Sequence, residues 1–232
     1  INNSINNLEN ILTKCIRQVT INKKAKIGLI NGHGEMVNQS IISFKNEISE
    51  YYEFEEIKID GKLIALDNID CIIINHPTEY FSEKDKFIID QFIMNGGKSL
   101  WIINGTNASI DSLELKGESM ALPLTEINLH DMMFHYGLRV NMDIVQDLQS
   151  AQIPIVTHVI QDKPQITFFP WTFFPVIAPN KTHIITRNVD PVRCQFPSSI
   201  DTLSNKLTKT VLLQTSDNSK TNNSPSLISL EN

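Results

Sequence analysis

The sequence has no apolar run long enough to cross a bilayer. The longest run surrounds Cys71-Ile72-Ile73-Ile74 and stops at Asn75 and His76, well short of the roughly 18–20 residues that a membrane helix needs. Of the 232 residues, 41% are hydrophobic and 20% are charged, which predicts a globular chain with a buried core. The start at Ile1, without a signal-like segment, favours a processed product or an excised domain.

An excess of basic charge is also missing. The 20 Lys and Arg residues are outnumbered by 26 Asp and Glu residues, and the formal net charge is −6. The basic residues are scattered along the chain, whereas nucleic-acid binding needs a basic stripe that displaces phosphate counterions. The sequence therefore predicts no nucleic-acid partner, and it does not favour an anionic membrane surface.

Cysteine motifs are absent as well. The three cysteines, Cys15, Cys71 and Cys194, lie far apart, with no C-x-x-C pair and no Cys/His spacing suited to zinc. We therefore predict neither a metal centre nor another cofactor.

Short apolar runs alternate with helical stretches in the first half of the chain. The pattern predicts helices over 37–51 and from the capping box at Ser82 to Gly96-Gly97. It predicts strands over 26–30, 54–59, 71–75 and 99–103. This order indicates an α/β fold with a doubly wound, mostly parallel sheet, in the layout of class I glutamine amidotransferase-like and flavodoxin-like domains. We assign it to residues 23–125, after an amphipathic helix over 1–22.

The second half of the chain has weaker patterns. A polar loop is predicted up to Leu124, and a short helix from a cap at Asn128 to Gly137. Seven prolines interrupt residues 153–199, which favours short edge strands and loops. Residues 126–216 are therefore predicted to be a loop-rich extension packed on the α/β core, with one last strand over 210–213. Residues 217–232, rich in Ser and Asn, are predicted to be a flexible tail.

The turn Gly32-His33-Gly34-Glu35 follows the first strand, at the edge of a parallel sheet where ligands commonly bind. Together with His76, it is the candidate ligand-binding site. The alternative is a tight turn that needs glycine for its backbone angles. Val37 stands where a dinucleotide fingerprint needs glycine, and no G-K-[ST] follows. A metal ion needs three or four ligands, and His76 is the one further candidate near His33 and Glu35, so we predict no metal site here.

Signatures of nucleophilic catalysis are missing. The strand ending at Ile103 leads into Asn104-Gly105-Thr106, which supplies no thiol, and the chain has no G-x-S-x-G motif. Thr106 and Ser109 have no partner that spacing identifies. We therefore predict no catalytic residues and a protein that is not an enzyme.

Aromatic residues concentrate between Phe168 and Pro175. Prolines hold this segment extended, so its rings face a partner or pack into the core, and the alternation of an extended strand places some rings inward and others outward. Phe169, Trp171, Phe173 and Phe174 are the candidate partner surface.

Several segments, taken in their order and spacing over residues 26–216, resemble the extracytoplasmic region of gliding-motility-associated ABC-transporter auxiliary proteins of the GldG type. They are Ile30-Asn31-Gly32-His33-Gly34-Glu35, Pro77-Thr78-Glu79, Phe81-Ser82-Glu83, Ile89-Asp90-Gln91-Phe92, Gly96-Gly97-Lys98, Leu100-Trp101, Asn107-Ala108-Ser109, Asp111-Ser112-Leu113, Phe134-His135-Tyr136-Gly137, Val145-Gln146-Asp147, Phe169-Pro170-Trp171, Asp190-Pro191-Val192 and Ser198-Ser199-Ile200-Asp201.

The resemblance implies a non-catalytic interaction domain on the periplasmic face of a bacterial inner membrane. It implies permease and ATPase subunits as partners, and anchoring through membrane segments absent from this chain. A small-ligand or carbohydrate-binding domain of the same transporter is the alternative, and an amidotransferase-like hydrolase is the least favoured.

Overall fold

The structure is a computed structural model that describes residues 8, 11–13, 15–16, 19–20, 23–35, 39–108, 110, 113, 117–160 and 163–230, with only the backbone for 39–40, 156–160 and 163–164. It divides into two compact units, Ile1–Ile102 and Ile103–Asn232. The first unit thus ends at residue 102, earlier than the predicted core domain, which extended to residue 125. Among the described residues, no helix is both long and apolar enough to cross a membrane.

The first unit is built on a four-stranded parallel sheet in the order β2-β1-β3-β4. Its strands are β1 (Lys26–Asn31), β2 (Glu53–Lys58), β3 (Cys71–Asn75) and β4 (Lys98–Ile102). All four predicted strands are confirmed, and every strand end lies within one residue of its predicted position. Strands β1 and β3 are the two inner strands of the sheet. Both are almost continuously apolar, as expected for strands whose two faces are buried.

Two helices accompany this sheet, α1 (Gln39–Ile48) and α2 (Glu83–Met94). Ile41 and Ile48 of α1 pack against a buried cluster on the sheet formed by Ile27, Leu29 and Ile73. Helix α2 begins as predicted, because the hydroxyl of its N-cap Ser82 accepts the Asp85 N–H at 3.1 Å. The unit is therefore α/β, and the doubly wound layout stays a prediction.

The second unit is rich in β-structure, and every described strand pair in it is antiparallel. It contains α3 (His130–His135) and the strands β5 (Glu118–Ala121), β6 (Leu138–Val140), β7 (Asp143–Asp147), β8 (Ser150–Ile160), β9 (Lys163–Pro179), β10 (Val192–Arg193), β11 (Ile200–Thr202), β12 (Leu213–Gln214), β13 (Ser219–Asn223) and β14 (Ser226–Ser229).

The helix near residue 130 and most of the short strands agree with the predicted extension, whereas β8 and β9 are much longer than the short edge strands predicted there. Strands β8 and β9 form one long hairpin that contains several of the prolines that were expected to break it. Proline is compatible with a strand whose N–H would otherwise point away from the neighbouring strand, and a two-stranded hairpin offers many such positions.

The prediction of a flexible tail was also wrong for the described residues. Strand β13 pairs with β7 and β14 pairs with β5, so the end of the chain closes two small sheets. The sequence of β13 is polar and gives no strand signal. Backbone pairing holds it in place, together with side-chain bonds such as Asn222 Nδ2 to Gln146 Oε1 at 3.1 Å. The predicted strand over 210–213 is reduced to β12, and the predicted loop before Leu124 contains β5.

The N-terminal helix is described only in part. Among residues 1–22, the described ones are helical and exposed: Leu8, Ile11, Leu12, Thr13, Cys15, Ile16, Val19 and Thr20. The remaining positions of the predicted helix lie outside the described residues.

Candidate functional site

The 32–35 turn follows β1 and lies beside the segment that leaves β3. The backbone N–H groups of Thr78 and Glu79 both donate to the carbonyl of His33, at 3.0 and 2.8 Å. Gly34 has a φ of +71°, and a Cβ there would collide with Thr78 Oγ1 and the Glu79 side chain. Glycine is therefore required here both by backbone conformation and by space.

The imidazole of His33 lies between two carboxylates. Its Nδ1 is 3.1 Å from Glu35 Oε1, and its Nε2 is 3.3 Å from Asp85 Oδ2. An ionised carboxylate only accepts hydrogen bonds, so this geometry suits an imidazolium that donates from both nitrogens. The residue is 5% exposed, and its ring stacks on Phe81 with centroids 3.7 Å apart. We call His33, Glu35 and Asp85 the His33 cluster.

Further donors satisfy the two carboxylates of the cluster. Glu35 Oε2 accepts the backbone N–H of His33 at 2.7 Å. Asp85 Oδ1 accepts the N–H of Gly61 at 2.8 Å, and its Oδ2 accepts the Ser82 hydroxyl at 2.8 Å. The cluster therefore connects the turn after β1, the loop after β2 and the first turn of α2.

The electrostatics of the cluster favour its charged state. Burial alone lowers the pKa of His33, but hydrogen bonds and charge attraction from Glu35 and Asp85 outweigh it, so the pKa is raised above 6.5. Burial raises the pKa values of Glu35 and Asp85, but the hydrogen bonds and the His33 charge outweigh it and both are lowered. The three groups thus hold one another in the ionised form.

The structure does not bring the other predicted ligand residue into this cluster. The His76 N–H donates to the Ile102 carbonyl at 2.7 Å, and burial lowers the pKa of its imidazole. No hydrogen bond or ion pair joins His76 to His33 in the described part of the chain. Among the same residues, no group of three His, Cys, Asp or Glu is arranged to hold a metal ion.

Sequence reasoning found His33 and Glu35 but missed Asp85. Spacing could find the first pair because its members are two residues apart, whereas Asp85 is 52 residues from His33. The spacing of Ser82 and Asp85 predicts a helix cap. Asp85 takes part in that cap, because its backbone N–H donates to the Ser82 hydroxyl. Only the placement of α2 beside the turn after β1 gives this carboxylate its second contact.

A cleft of about 480 Å³ lies elsewhere in the first unit. It is found near the amino ends of β3 and β4, whereas ligands of open parallel sheets commonly bind beyond the carboxyl ends. None of the predicted ligand residues lines it; its walls include Leu66, Asp70, Phe87, Gln91, Asn95 and Lys98.

The predicted aromatic partner surface is mostly buried. Trp171, Phe173 and Phe174 are at most 4% exposed and lie in the core of the second unit, where their rings contact one another and Phe196. These three residues therefore form no partner surface. Phe169 remains 44% exposed, and the neighbouring Phe168 is 60% exposed.

The described residues thus define a protein with an α/β unit, a β-rich unit and a histidine–carboxylate cluster whose polar groups bind one another. The chain belongs to the family described as ABC-type uncharacterized transport system, whose model matches residues 24–232. Membership in this auxiliary transport family implies association with an ABC transporter and is consistent with a non-catalytic role.

No curated protein matches the chain. A solved structure titled "mmIFT52 N-terminal domain" is similar to it with a TM-score of 0.56 and 13% sequence identity, over 84% of this chain and 75% of that one. At this identity the likeness concerns the fold alone.

Proposed function

We propose that this chain is the extracytoplasmic, non-catalytic interaction domain of an ABC-transporter complex that supports gliding motility. In this proposal it acts on the periplasmic face of the inner membrane, with a permease and an ATPase as partners. In the same proposal, segments outside this chain supply the membrane anchor.

The observation that carries the non-catalytic part is the set of hydrogen bonds within the His33 cluster. Both imidazole nitrogens are directed at carboxylates, and each carboxylate also accepts an N–H or hydroxyl from the surrounding backbone and side chains. A general base or a metal ligand needs a lone pair that faces the substrate or the ion. Here the lone pairs and protons instead hold three segments of the first unit together.

The other candidate nucleophiles are two hydroxyls, of Thr106 and Ser109, and two thiols, of Cys71 and Cys194, and none of them supports covalent catalysis. Thr106 is fully buried, and Ser109 lies outside the described residues. The thiols of Cys71 and Cys194 have pKa values raised by burial, which disfavours the reactive thiolate.

The transporter part of the proposal is supported by family membership over residues 24–232. The gliding and periplasmic parts are supported by the resemblance to GldG-type proteins, which extends through both units. The alternative function, binding of a small ligand or carbohydrate at the 32–35 turn, would require groups that the His33 cluster already uses.

The proposal is tested by purifying the tagged full-length protein from membranes of the bacterium that encodes it. We expect mass spectrometry to identify an ABC permease and an ABC ATPase in the purified complex. Recovery of neither subunit would overturn the transporter role. Deleting the gene is expected to abolish colony spreading, and normal spreading in a strain whose transporter complex is otherwise intact would overturn the gliding role.

A further inference from the structure

The helical segment at the start of the chain carries apolar side chains that face water. Its described members are 53–85% exposed: Leu8, Ile11, Leu12, Ile16 and Val19. Most of them follow one another at steps of three or four residues, and the described residues of the segment are helical, so they share one side of a helix. We call these five residues the apolar stripe.

The segment that carries the apolar stripe has a charge opposite to that of the rest of the chain. Residues 1–24 contain one acidic residue, Glu9, and four basic residues, Lys14, Arg17, Lys23 and Lys24. Residues 25–232 contain 16 basic and 25 acidic residues. The net charge of −6 is thus the sum of +3 in the first segment and −9 in the remainder. An anionic surface attracts the first segment and repels the remainder.

An apolar side combined with a basic polar side is typical of helices that lie in the interface of a membrane. At about 3.6 residues per turn, the sequence places Lys14 and Arg17 on the side of the helix away from Leu12. In such helices the apolar side chains enter the boundary between headgroups and acyl chains, and the basic side chains stay near the headgroups. The segment therefore matches an anionic lipid surface in both polarity and charge.

The parallel sheet of the first unit is a poorer partner for the apolar stripe. The stripe extends from Leu8 to Val19, which corresponds to about 18 Å of helix. Among the described residues of the sheet, the large apolar side chains that are exposed are Leu100 and Ile102, both on β4. Two half-exposed side chains on an edge strand would leave most of the stripe in water.

A second copy of the chain is also a poorer partner. Coiled coils have a narrow apolar seam that continues for at least about three to four heptads, whereas the apolar stripe covers fewer than two. Ile11 and Ile16 lie on opposite flanks of Leu12 and make the stripe wider than such a seam. A lipid surface accepts a wide stripe, whereas two copies of a basic segment repel each other.

We propose that this N-terminal helix binds the surface of an anionic phospholipid bilayer, with the apolar stripe in the interface and the basic side chains at the lipid phosphates. The inference goes beyond the proposed function, because it gives the chain itself a contact with the membrane. It can be tested with lipids alone, so it succeeds or fails independently of any transporter partner.

The first test mixes the purified chain with vesicles of phosphatidylcholine, either pure or with one-third phosphatidylglycerol, and measures the bound fraction by flotation. We expect binding to the anionic vesicles to be at least about fivefold stronger. It should weaken in about 1 M salt, where charges are screened beyond about 3 Å. Equal binding to the two kinds of vesicle, or binding to neither, would overturn the inference.

The second test changes the apolar stripe. Leu12→Glu places a charge at its centre and is expected to lower binding to the anionic vesicles by at least about tenfold. Ile184→Glu is the matched control, because it introduces the same charge at a residue of the second unit that is 75% exposed. This control should bind like the wild type, and undiminished binding of Leu12→Glu would contradict the inference.

The third test changes the basic residues. The double variant Lys14→Glu with Arg17→Glu is expected to lose the preference for anionic vesicles. Lys62→Glu with Lys206→Glu makes the same change of net charge at exposed positions and should keep the preference. Loss of the preference in both double variants would show that overall charge, and not this helix, governs binding.

Two measurements without vesicles test the other partners of the apolar stripe. Wild type and Leu12→Glu should have the same thermal unfolding midpoint, which also establishes that the variant is folded. A lower midpoint for Leu12→Glu would show that the stripe packs on the protein itself. In light scattering, a dimer that Leu12→Glu dissociates would assign the stripe to a second copy. Either result would overturn the inference.

Discussion

The charge on His33 compensates two carboxylates that are themselves withdrawn from water. Without it, Glu35 and Asp85 would retain their backbone hydrogen bonds but lose the positive charge between them. Removing one partner from a buried charge group is costly because the remaining charge is left uncompensated. At the scale of single residues, this makes stability depend on pH.

The direction of that dependence follows from the pKa shifts. The pKa of His33 is raised above its ordinary value of 6.5, so its contribution is complete below that pH and is lost as pH rises through the raised pKa. The pKa values of Glu35 and Asp85 are lowered from 4.5 and 3.8, so their contributions are lost as pH falls through the lowered values. All three groups contribute fully between about pH 4.5 and 6.5.

We therefore predict that His33→Gln destabilises the protein by about 3–5 kcal/mol at pH 6. The difference from wild type should shrink at alkaline pH, where wild-type His33 also loses its charge. Urea unfolding over a pH series measures both effects. His135→Gln, at an exposed position of the second unit, is the control and should change little. A His33→Gln effect that is the same at pH 6 and at pH 9 would contradict the charged cluster.

At the scale of elements, β9 contains two different environments within one strand. The sequence predicts a partner surface formed by Phe169, Trp171, Phe173 and Phe174, and the alternation of an extended strand predicts that some rings face inward and others outward. The structure separates them, since Trp171, Phe173 and Phe174 are buried in the core whereas Phe168 and Phe169 are exposed.

This division predicts different responses to truncation of neighbouring side chains. Trp171→Ala should destabilise the second unit by about 3–5 kcal/mol, as expected for a large buried aromatic residue. Phe168→Ala should change the free energy of unfolding by no more than about 0.5 kcal/mol. Chemical denaturation of both variants measures the contrast, and equal losses of stability would show that Phe168 is packed as tightly as Trp171.

The last strand gives a second test at this scale. Ile228 in β14 is fully buried in the core of the second unit, whereas its neighbour Leu227 is 47% exposed. Ile228→Ala is therefore expected to cost about 2–5 kcal/mol, and Leu227→Ala much less. If residues 226–229 were a flexible tail, neither substitution would change the free energy of unfolding. Unchanged stability in both variants would therefore contradict the pairing of β14 with β5.

At the scale of the whole molecule, the boundary between the two units can be located by fragments. All four strands of the parallel sheet and both of its helices lie before residue 103. Among the described residues of 103–125, the strand is β5, whose partner β14 is near residue 229.

We predict that the fragment 1–102 folds by itself, with a cooperative unfolding transition followed by circular dichroism. The longer fragment 1–125, which ends at the boundary predicted from the sequence, should gain no stability, because β5 has lost its partner strand. A fragment 1–102 that stays unfolded while 1–125 folds would favour the sequence-based boundary instead.

The sequence alone determined the local features. Strands β1 and β3, the Ser82 cap of α2 and the need for glycine in the 32–35 turn each depend on a few adjacent residues, so periodicity and capping rules found them. The family assignment was also accessible, because it depends on the order of short segments along the chain.

Only the tertiary structure decided features that depend on residues far apart. The Asp85 carboxylate joins His33 because α2 packs beside the turn after β1, and β13 forms because β7 offers it a free edge. The polar sequence of β13 carries no signal of this pairing. The same limit applies to β9, where the fold sets which aromatic residues are buried and which are exposed. Spacing describes neighbours in the chain, whereas burial and strand pairing depend on neighbours in space.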